Sequence, residues 1–286
     1  MGRMRFMSDI RSRLRKLLKG PEMVVAPFVY DCLQARLARR EGFKAIYMTG
    51  FGTAAARGFP DLGLLTMGEM VDNVRALARS VDIPLICDAD TGYGEPINVQ
   101  RTVREYEDAG AAALHIEDQV WPKRCGFLEG KQVIPLENME AKLRAALDAR
   151  RDPDLVIIAR TDALAPHGWE EVARRARAYR EAGADLIFVD GIKTLEDLKT
   201  CARLLSGTPL LYNGQLLHPS EIAKYGFKLM IHIATLFTIY ERTRDAISEL
   251  ARTGTIASGP GLELLPEITD LLGAPEILET SKKYEV

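Results

Sequence analysis

The chain has 286 residues, and its 38 Lys and Arg against 40 Asp and Glu leave a net charge of -2, which gives no reason to expect a nucleic-acid or membrane surface. A small soluble substrate becomes the default partner. The four cysteines (Cys32, Cys87, Cys125, Cys201) are widely spaced with no CxxC pair, fitting a reducing, cytoplasmic compartment better than a disulfide framework.

No apolar run approaches the roughly 18 residues of a membrane span. The first nineteen residues hold Arg3, Arg5, Arg11, Arg13, Arg15, Lys16 and Lys19 with one acid, Asp9. Ile10, Leu14, Leu17 and Leu18 fall at helical spacing within it, which predicts an amphipathic leading helix packed on the body rather than a targeting segment. Eight apolar, β-branched runs follow: Val24–Val29, Ala45–Thr49, Pro84–Asp88, Ala112–Glu117, Leu155–Arg160, Leu186–Asp190, Pro209–Asn213 and Lys228–Ile233. Helical patterns at Met67–Ser80, Asn98–Ala109, Leu136–Ala149, Trp169–Ala182, Leu195–Leu205 and Leu236–Arg252 lie among them, with glycines such as Gly110, Gly183 and Gly207 at their ends. Continuous rather than alternating apolar strands indicate parallel strands buried on both faces. Eight β-then-α units in this length mean a (β/α)8 barrel of the TIM type, for which roughly 250 residues is typical; a doubly wound open sheet is the competing arrangement. The expected organisation is a single barrel domain over residues 22–252, preceded by the leading helix. Pro260, Pro266 and Pro275 break residues 253–286 into a C-terminal helical arm.

In such a barrel the active site sits at the C-terminal mouth, so the residues closing each strand are the candidates. In order they are Tyr47 and Thr49, Asp88 and Asp90, Glu117, Arg160, Asp190 and Asn213. One such residue is ordinarily a helix N-cap or a salt-bridge partner. Carboxylates, an arginine and an amide closing successive strands are harder to explain that way. Carboxylate ligands without a His/Cys cluster select a hard cation, Mg2+ or Mn2+, which takes one or two direct carboxylates and keeps several waters. Asp88 is the expected direct ligand, with Asp90 and Glu117 partly through water and Asp61 as a further outer partner. Arg160, Lys123 and Arg124 beside such a cation suit a carboxylic acid substrate with a second chelating oxygen, such as a 2-oxoacid. Cys125, between two cations and a glycine in Lys123-Arg124-Cys125-Gly126, is too polar in setting for a core cysteine; Cys32, Cys87 and Cys201 read as packing residues.

Tyr47-Met48-Thr49-Gly50, Pro60-Asp61-Leu62-Gly63, Asp88-Ala89-Asp90-Thr91-Gly92, Glu117-Asp118-Gln119, Lys123-Arg124-Cys125-Gly126 and Ala159-Arg160-Thr161-Asp162-Ala163 resemble the isocitrate lyase/phosphoenolpyruvate mutase superfamily, in the correct order. The short-chain, methylisocitrate lyase-like branch is the most similar in pattern. The resemblance implies a (β/α)8 barrel, Mg2+, a homotetramer with exchanged C-terminal helices, and enolate chemistry on a 2-oxoacid. It also implies a mobile lid at Lys123–Gly126 with Cys125 as acid/base, protonating the carbanion of the departing half. Lys123 and Arg124 would lower the thiol pKa and bind a substrate carboxylate, Arg160 would face the developing anion, and Tyr47, Thr49, Gly50, Gly126, Asp190 and Asn213 would line the substrate.

Three departures bear on the substrate. Phe127 stands where the lyase branch has histidine after Cys-Gly, Asp190 where glutamate is frequent, and the shorter Gly214-Gln215-Leu216-Leu217-His218-Pro219 replaces a glycine-rich segment. Phe127 and this loop together imply a distal pocket that is less polar, or arranged for a different distal group, than in the lyase branch. A carbon–carbon lyase is the reading; a carboxyphosphonoenolpyruvate-type phosphonomutase, an oxaloacetate hydrolase or decarboxylase, and a non-catalytic oxoacid-binding protein remain as alternatives.

Overall fold

The apolar runs pair as parallel strands in sequence order and close on themselves: β1 (Val24–Val29), β2 (Ile46–Met48), β3 (Leu85–Asp88), β4 (Ala113–Glu117), β5 (Val156–Thr161), β6 (Leu186–Val189), β7 (Leu210–Asn213) and β8 (Phe227–His232). Closure comes from β1 on β8, with Val24 opposite Leu229 and Ala26 opposite Ile231, so the chain is a (β/α)8 barrel and the open sheet is excluded. This computed structural model describes residues 2–126, 128–257 and 259–284.

The helices are α1 (Gly2–Lys19), α2 (Cys32–Arg40), α3 (Gly50–Ala56), α4 (Met67–Ser80), α5 (Pro96–Ala109), α6 (Leu136–Ala149), α7 (Leu164–Glu181), α8 (Leu195–Leu204), α9 (Pro219–Ala223), α10 (Ala234–Thr253), α11 (Leu265–Leu271) and α12 (Ala274–Lys282). Their ends follow local chemistry. Thr66 and Thr194 open α4 and α8 with capping boxes through Glu69 and Asp197. Helix α7 begins five residues upstream of the expected Trp169, and Ala163 before it already has helical backbone angles. Gly168, at φ 77, then breaks the helix just before Trp169.

Side chains alternate along each strand, and the two parities have different fates. Leu85, Cys87, Leu114, Ile116, Ile157 and Ala159 face the helices and make the larger apolar core. Ala26, Phe28, Tyr47, Ile86, Ala113, Val156, Ile158, Phe188, Leu211, Leu229 and Ile231 fill the barrel itself. The inward parity carries on to Asp88, Glu117, Arg160, Asp190 and Asn213 at the strand ends. A single register shift would send every one of them into the helix layer. Cys87 and Cys201 are buried packing residues, in keeping with the sequence reading.

The leading helix closes the opposite end. Ile10 and Leu14 of α1 are buried in the same cluster as Val24, Ala45, Ala112 and Val156 at the strand starts. Its arginines hold the barrel's lower rim: Arg11 donates to the carbonyls of Ala111 and Glu107 and pairs with Asp152 at 3.1 Å, and Arg15 pairs with Asp185 at 2.6 Å. The cations at positions 11 and 15 therefore answer carbonyls and carboxylates of this chain. Beyond α10, the arm folds as a short 3-10 turn (Leu262–Leu264), α11 and α12, touching the barrel where Arg36 donates to the carbonyl of Leu271 and Arg40 pairs with Glu267.

Gly110 ends α5 at φ 114, and a Cβ there would lie 2.7 Å from the Ala78 Cβ of α4. Gly110→Ala is expected to cost about 2 kcal/mol or more, from backbone strain and the clash together. Chemical denaturation measures this, and an unchanged midpoint would show that α4 and α5 can separate freely.

Candidate active site

At the C-terminal mouth, β3 and the turn after it supply the acids. Asp88 is fixed by two backbone donors, Gly50 N–H at 3.2 Å to Oδ2 and Asp90 N–H at 3.0 Å to Oδ1. Gly50 is the first residue of α3, and a Cβ there would fall 2.5 Å from Asp88 Oδ2, so only glycine permits this approach. Asp90 sits at φ 46, in the left-handed region that non-glycine residues rarely adopt. Its carbonyl accepts the Glu117 N–H at 2.9 Å, which ties the strained turn to β4. Strain held in place by such bonds is characteristic of sites rather than of connecting turns.

Burial sets the electrostatics. Desolvation pushes Asp90 up to about 6, with Asp88 and Asp61 adding to the rise and Lys123 opposing it. Desolvation also raises Glu117 well above the usual carboxylate range, despite Arg160. For Asp88 burial is outweighed by neighbouring positive charge, and the carboxyl stays below its ordinary value. Both oxygens of Glu117 and Oδ1 of Asp90 are buried without a hydrogen bond. Arg160 Nη1 lies 3.1 Å from Glu117 Oε2 and Lys123 Nζ 2.9 Å from Asp90 Oδ1, within ion-pair range but not aligned as donors.

Orphaned carboxylate oxygens around Asp88 are what a hard cation would satisfy. Among the described residues no three His, Cys, Asp or Glu side chains converge on one point. Mg2+, which takes one or two direct carboxylates and keeps several waters, would not require such a cluster. Asp61 belongs to the outer set: its carboxylate pairs with Lys123, and its carbonyl accepts the Cys125 N–H at 3.1 Å.

The segment after β4 crosses the mouth. Lys123, only 3% exposed, anchors one end on Asp61 and Asp90. Gly126 lies against Asp190 beyond β6, where a Cβ would be 2.5 Å from the carboxylate. Cys125, between them, is buried. Arg124 departs from expectation: it is exposed, and its guanidinium donates to the Glu129 carbonyl in its own loop, at 3.0 Å. Of the two cations flanking the thiol in sequence, Lys123 is buried in the mouth and Arg124 lies at the surface. Thr49 also differs, since its hydroxyl accepts the Gly52 N–H and caps α3. Asn213 Oδ1 is buried and without a partner at the end of β7. In the short loop that follows, the Leu216 N–H donates to the Tyr212 hydroxyl and Leu217 packs on the core. Phe127 lies outside the described residues.

Three groups in the mouth, Asp162, Lys131 and His115, went unassigned from the sequence. Arg160 is gripped by Asp162 through two bonds of 2.8 and 3.0 Å, and lies 3.5 Å from Asp190. Lys131 joins the same carboxylates, at 2.9 Å to Asp162 and 2.7 Å to Asp190. Its partners are 31 and 59 residues away, so no local pattern reveals it. His115 contacts Tyr47, and here a signal existed: it is two residues before Glu117 on β4 and so shares its inward face.

Known proteins resemble this chain along most of its length. The phosphoenolpyruvate phosphomutase family model matches residues 14–251. The 2,3-dimethylmalate lyase of Eubacterium barkeri is 39% identical over 287 residues, covering 96% of this chain and 97% of that protein. The 2-methylisocitrate lyase of Aeropyrum pernix is 43% identical over 249 residues, covering 85% of this chain and 80% of that one. Among solved structures, an oxaloacetate acetylhydrolase in complex with the inhibitor 3,3-difluorooxalacetate superposes with a TM-score of 0.91 at 38% identity, covering 98% of this chain and 97% of that one.

A carboxylate that titrates near 6 makes cation binding pH-dependent in a definite sense. Below that value Asp90 takes up a proton and its charge is lost, so Mg2+ affinity is expected to fall as the pH drops through about 6, with a proton released on binding where Asp90 is still protonated. Calorimetric Mg2+ titrations at about pH 5 and about pH 7.5 test this; equal affinities would mean that Asp90 does not feel the cation.

Proposed function

Because the chain belongs to the isocitrate lyase/phosphoenolpyruvate mutase superfamily, we propose that it is a Mg2+-dependent carbon–carbon lyase. Its substrate is a 2-hydroxy or 2-methyl di- or tricarboxylic acid, cleaved to pyruvate or glyoxylate and a second carboxylic acid. The observation that carries this reading is a buried thiol on a segment that roofs buried, under-satisfied carboxylates and an arginine.

Breaking the bond takes the hydroxyl proton from the half that becomes the 2-oxoacid, with an under-satisfied carboxylate of the mouth to receive it, and leaves the electron pair on the departing half as an enolate-type anion; a water-poor site can stabilise that charge only with groups already in place. Mg2+ bound at Asp88, with Asp90 and Glu117 partly through water, would supply Lewis-acid charge for an enolate-type anion. Arg160 serves the same end from the chain itself, held in orientation by Asp162 and placed beside Glu117 and Asp190. Cys125 gives its proton to the carbanion of the departing half. Lys123 holds the roof down on Asp61 and Asp90. The Gly50 N–H fixes Asp88, and Tyr47, Gly126, Asp190 and Asn213 line the remaining walls.

The enzyme is expected to work in the cytoplasm as a homotetramer. Phe237, Tyr240, Ile247, Leu250, Ile277 and Leu278 of α10 and α12 are all exposed, an apolar surface that subunit contacts would cover. Among the described residues no helix is long and apolar enough to cross a membrane.

Hydrolysis of oxaloacetate is the second reading, favoured by the close superposition on an oxaloacetate acetylhydrolase. Products separate the two. A panel of short hydroxy-diacids plus oxaloacetate, incubated with Mg2+ and then with EDTA, is expected to yield pyruvate or glyoxylate only with the metal. Oxalate from oxaloacetate alone would favour hydrolysis, and turnover of nothing in the panel would overturn both. Cys125→Ser is expected to lower turnover by roughly two orders of magnitude, as loss of an acid/base commonly does, with Mg2+ binding unchanged; full activity in this variant would remove the thiol from the mechanism.

A further inference from the structure

His115 has no part in the chemistry above, yet it lies inside the barrel directly under the site. Its side chain is fully buried. The ring stacks on Tyr47, with centroids 5.8 Å apart and planes 10° from parallel, and meets the edge of Phe188 at 5.5 Å. Packing on both sides fixes the ring plane, and the polar contacts fix which edge faces Tyr47: Nε2 is 2.8 Å from the Tyr47 hydroxyl and 3.7 Å from Asp88 Oδ1, while Nδ1 is buried with no hydrogen-bond partner.

The missing partner decides which nitrogen carries the proton. With the proton on Nδ1, a buried N–H would donate to nothing, and the Tyr47 hydroxyl would have to donate to Nε2. A buried unsatisfied donor is costly in free energy. With the proton on Nε2, only a lone pair goes unused at Nδ1, and the ring donates to the tyrosyl oxygen. A doubly protonated ring would bury the same orphan N–H together with a charge. The Nε2–H form is therefore the one this pocket accommodates.

We propose that His115, as the Nε2–H tautomer, is a positioning residue that makes Tyr47 a hydrogen-bond donor to an anionic oxygen of the ligand. Because the tyrosyl oxygen is occupied as an acceptor, its O–H must point elsewhere, and the group in that direction is Asp88 Oδ2 at 3.5 Å. That contact is long, and Asp88 already accepts the Gly50 and Asp90 N–H groups, so the O–H can turn to a ligand seated above it at little cost. The consequence is selectivity by polarity: the Tyr47 edge of the mouth accepts a carboxylate or enolate oxygen and disfavours a ligand N–H. The nature of the ligand rests on the lyase reading, whereas the tautomer does not.

The test keeps these two apart. Long-range proton–nitrogen correlation spectra of 15N-histidine-labelled protein distinguish the tautomers, and the His115 signals are those lost in His115→Gln. Protonation at Nε2 is expected in the ligand-free wild type; protonation at Nδ1 would overturn the proposal. Oxalate, a two-carboxylate mimic of a planar 2-oxoacid, then serves as the binding probe in calorimetry with Mg2+. Tyr47→Phe and His115→Leu should each weaken it about fivefold to tenfold, the share of one hydrogen bond. The double variant should bind no worse than Tyr47→Phe, and His115→Gln, which retains a donor, should recover most of the loss. Additive losses in the double variant would mean that His115 acts independently of Tyr47 and would also overturn the proposal. If wild-type protein binds no oxalate with Mg2+, the metal-dependent lyase reading fails, and the spectrum still decides the tautomer.

Discussion

The molecule is organised around an excess of negative charge removed from water. Asp61, Asp88, Asp90, Glu117, Asp162 and Asp190 crowd the mouth of the barrel, facing the three cations Lys123, Lys131 and Arg160. Burying a carboxylate without compensation is severely unfavourable, and ion pairs recover the cost only when each charge is also hydrogen-bonded. The carboxylates gripped by Arg160 and Lys131 meet that condition. Burial would raise Asp162, but Arg160 and Lys131 hold it far below the usual range. Glu117 and Asp90 do not, and both are raised. The mouth is thus divided into a satisfied half, which positions the arginine, and an under-satisfied half, which suits a cation.

The roof follows from the same constraint. Lys123 and Lys131 stand on either side of Cys125 in the chain, and each ammonium is bound to a different pair of carboxylates, Asp61 with Asp90 and Asp162 with Asp190. The segment carrying the thiol is therefore held over the mouth by charge at both ends. Opening it would return two lysines to water and take from Asp61 and Asp90 the cation they share, while Asp162 and Asp190 would keep Arg160. A bound cation would relieve part of that penalty on the Asp90 side. A cation bound there would in this way be coupled to the roof through one charge balance.

Most of the architecture was legible locally. The apolar runs, the capping threonines and the terminal glycines each depend on a few neighbouring residues, and Met67–Ser80 and Leu136–Ala149 have the helical ends their patterns indicate. Inward parity at the strand ends picked out Asp88, Glu117, Arg160, Asp190 and Asn213 because alternation is a property of the strand alone. It would equally have picked out His115. Residue type alone does not reveal the contacts of Arg124 and Thr49: one turns its guanidinium to its own loop and the other closes a helix.

The sequence by itself determined the barrel, its mouth and the chemical kinds gathered there, since periodicity, turn chemistry and strand-end polarity are carried by short stretches of chain. Only the tertiary structure decided which charges neutralise which. Lys131 finds Asp162 and Asp190, and the His115 ring acquires one partner and not two, because closure of eight strands brings distant segments together in a volume that excludes water. In that volume a proton or an ammonium must be placed against whatever the fold has set opposite it, and no local pattern records what that will be.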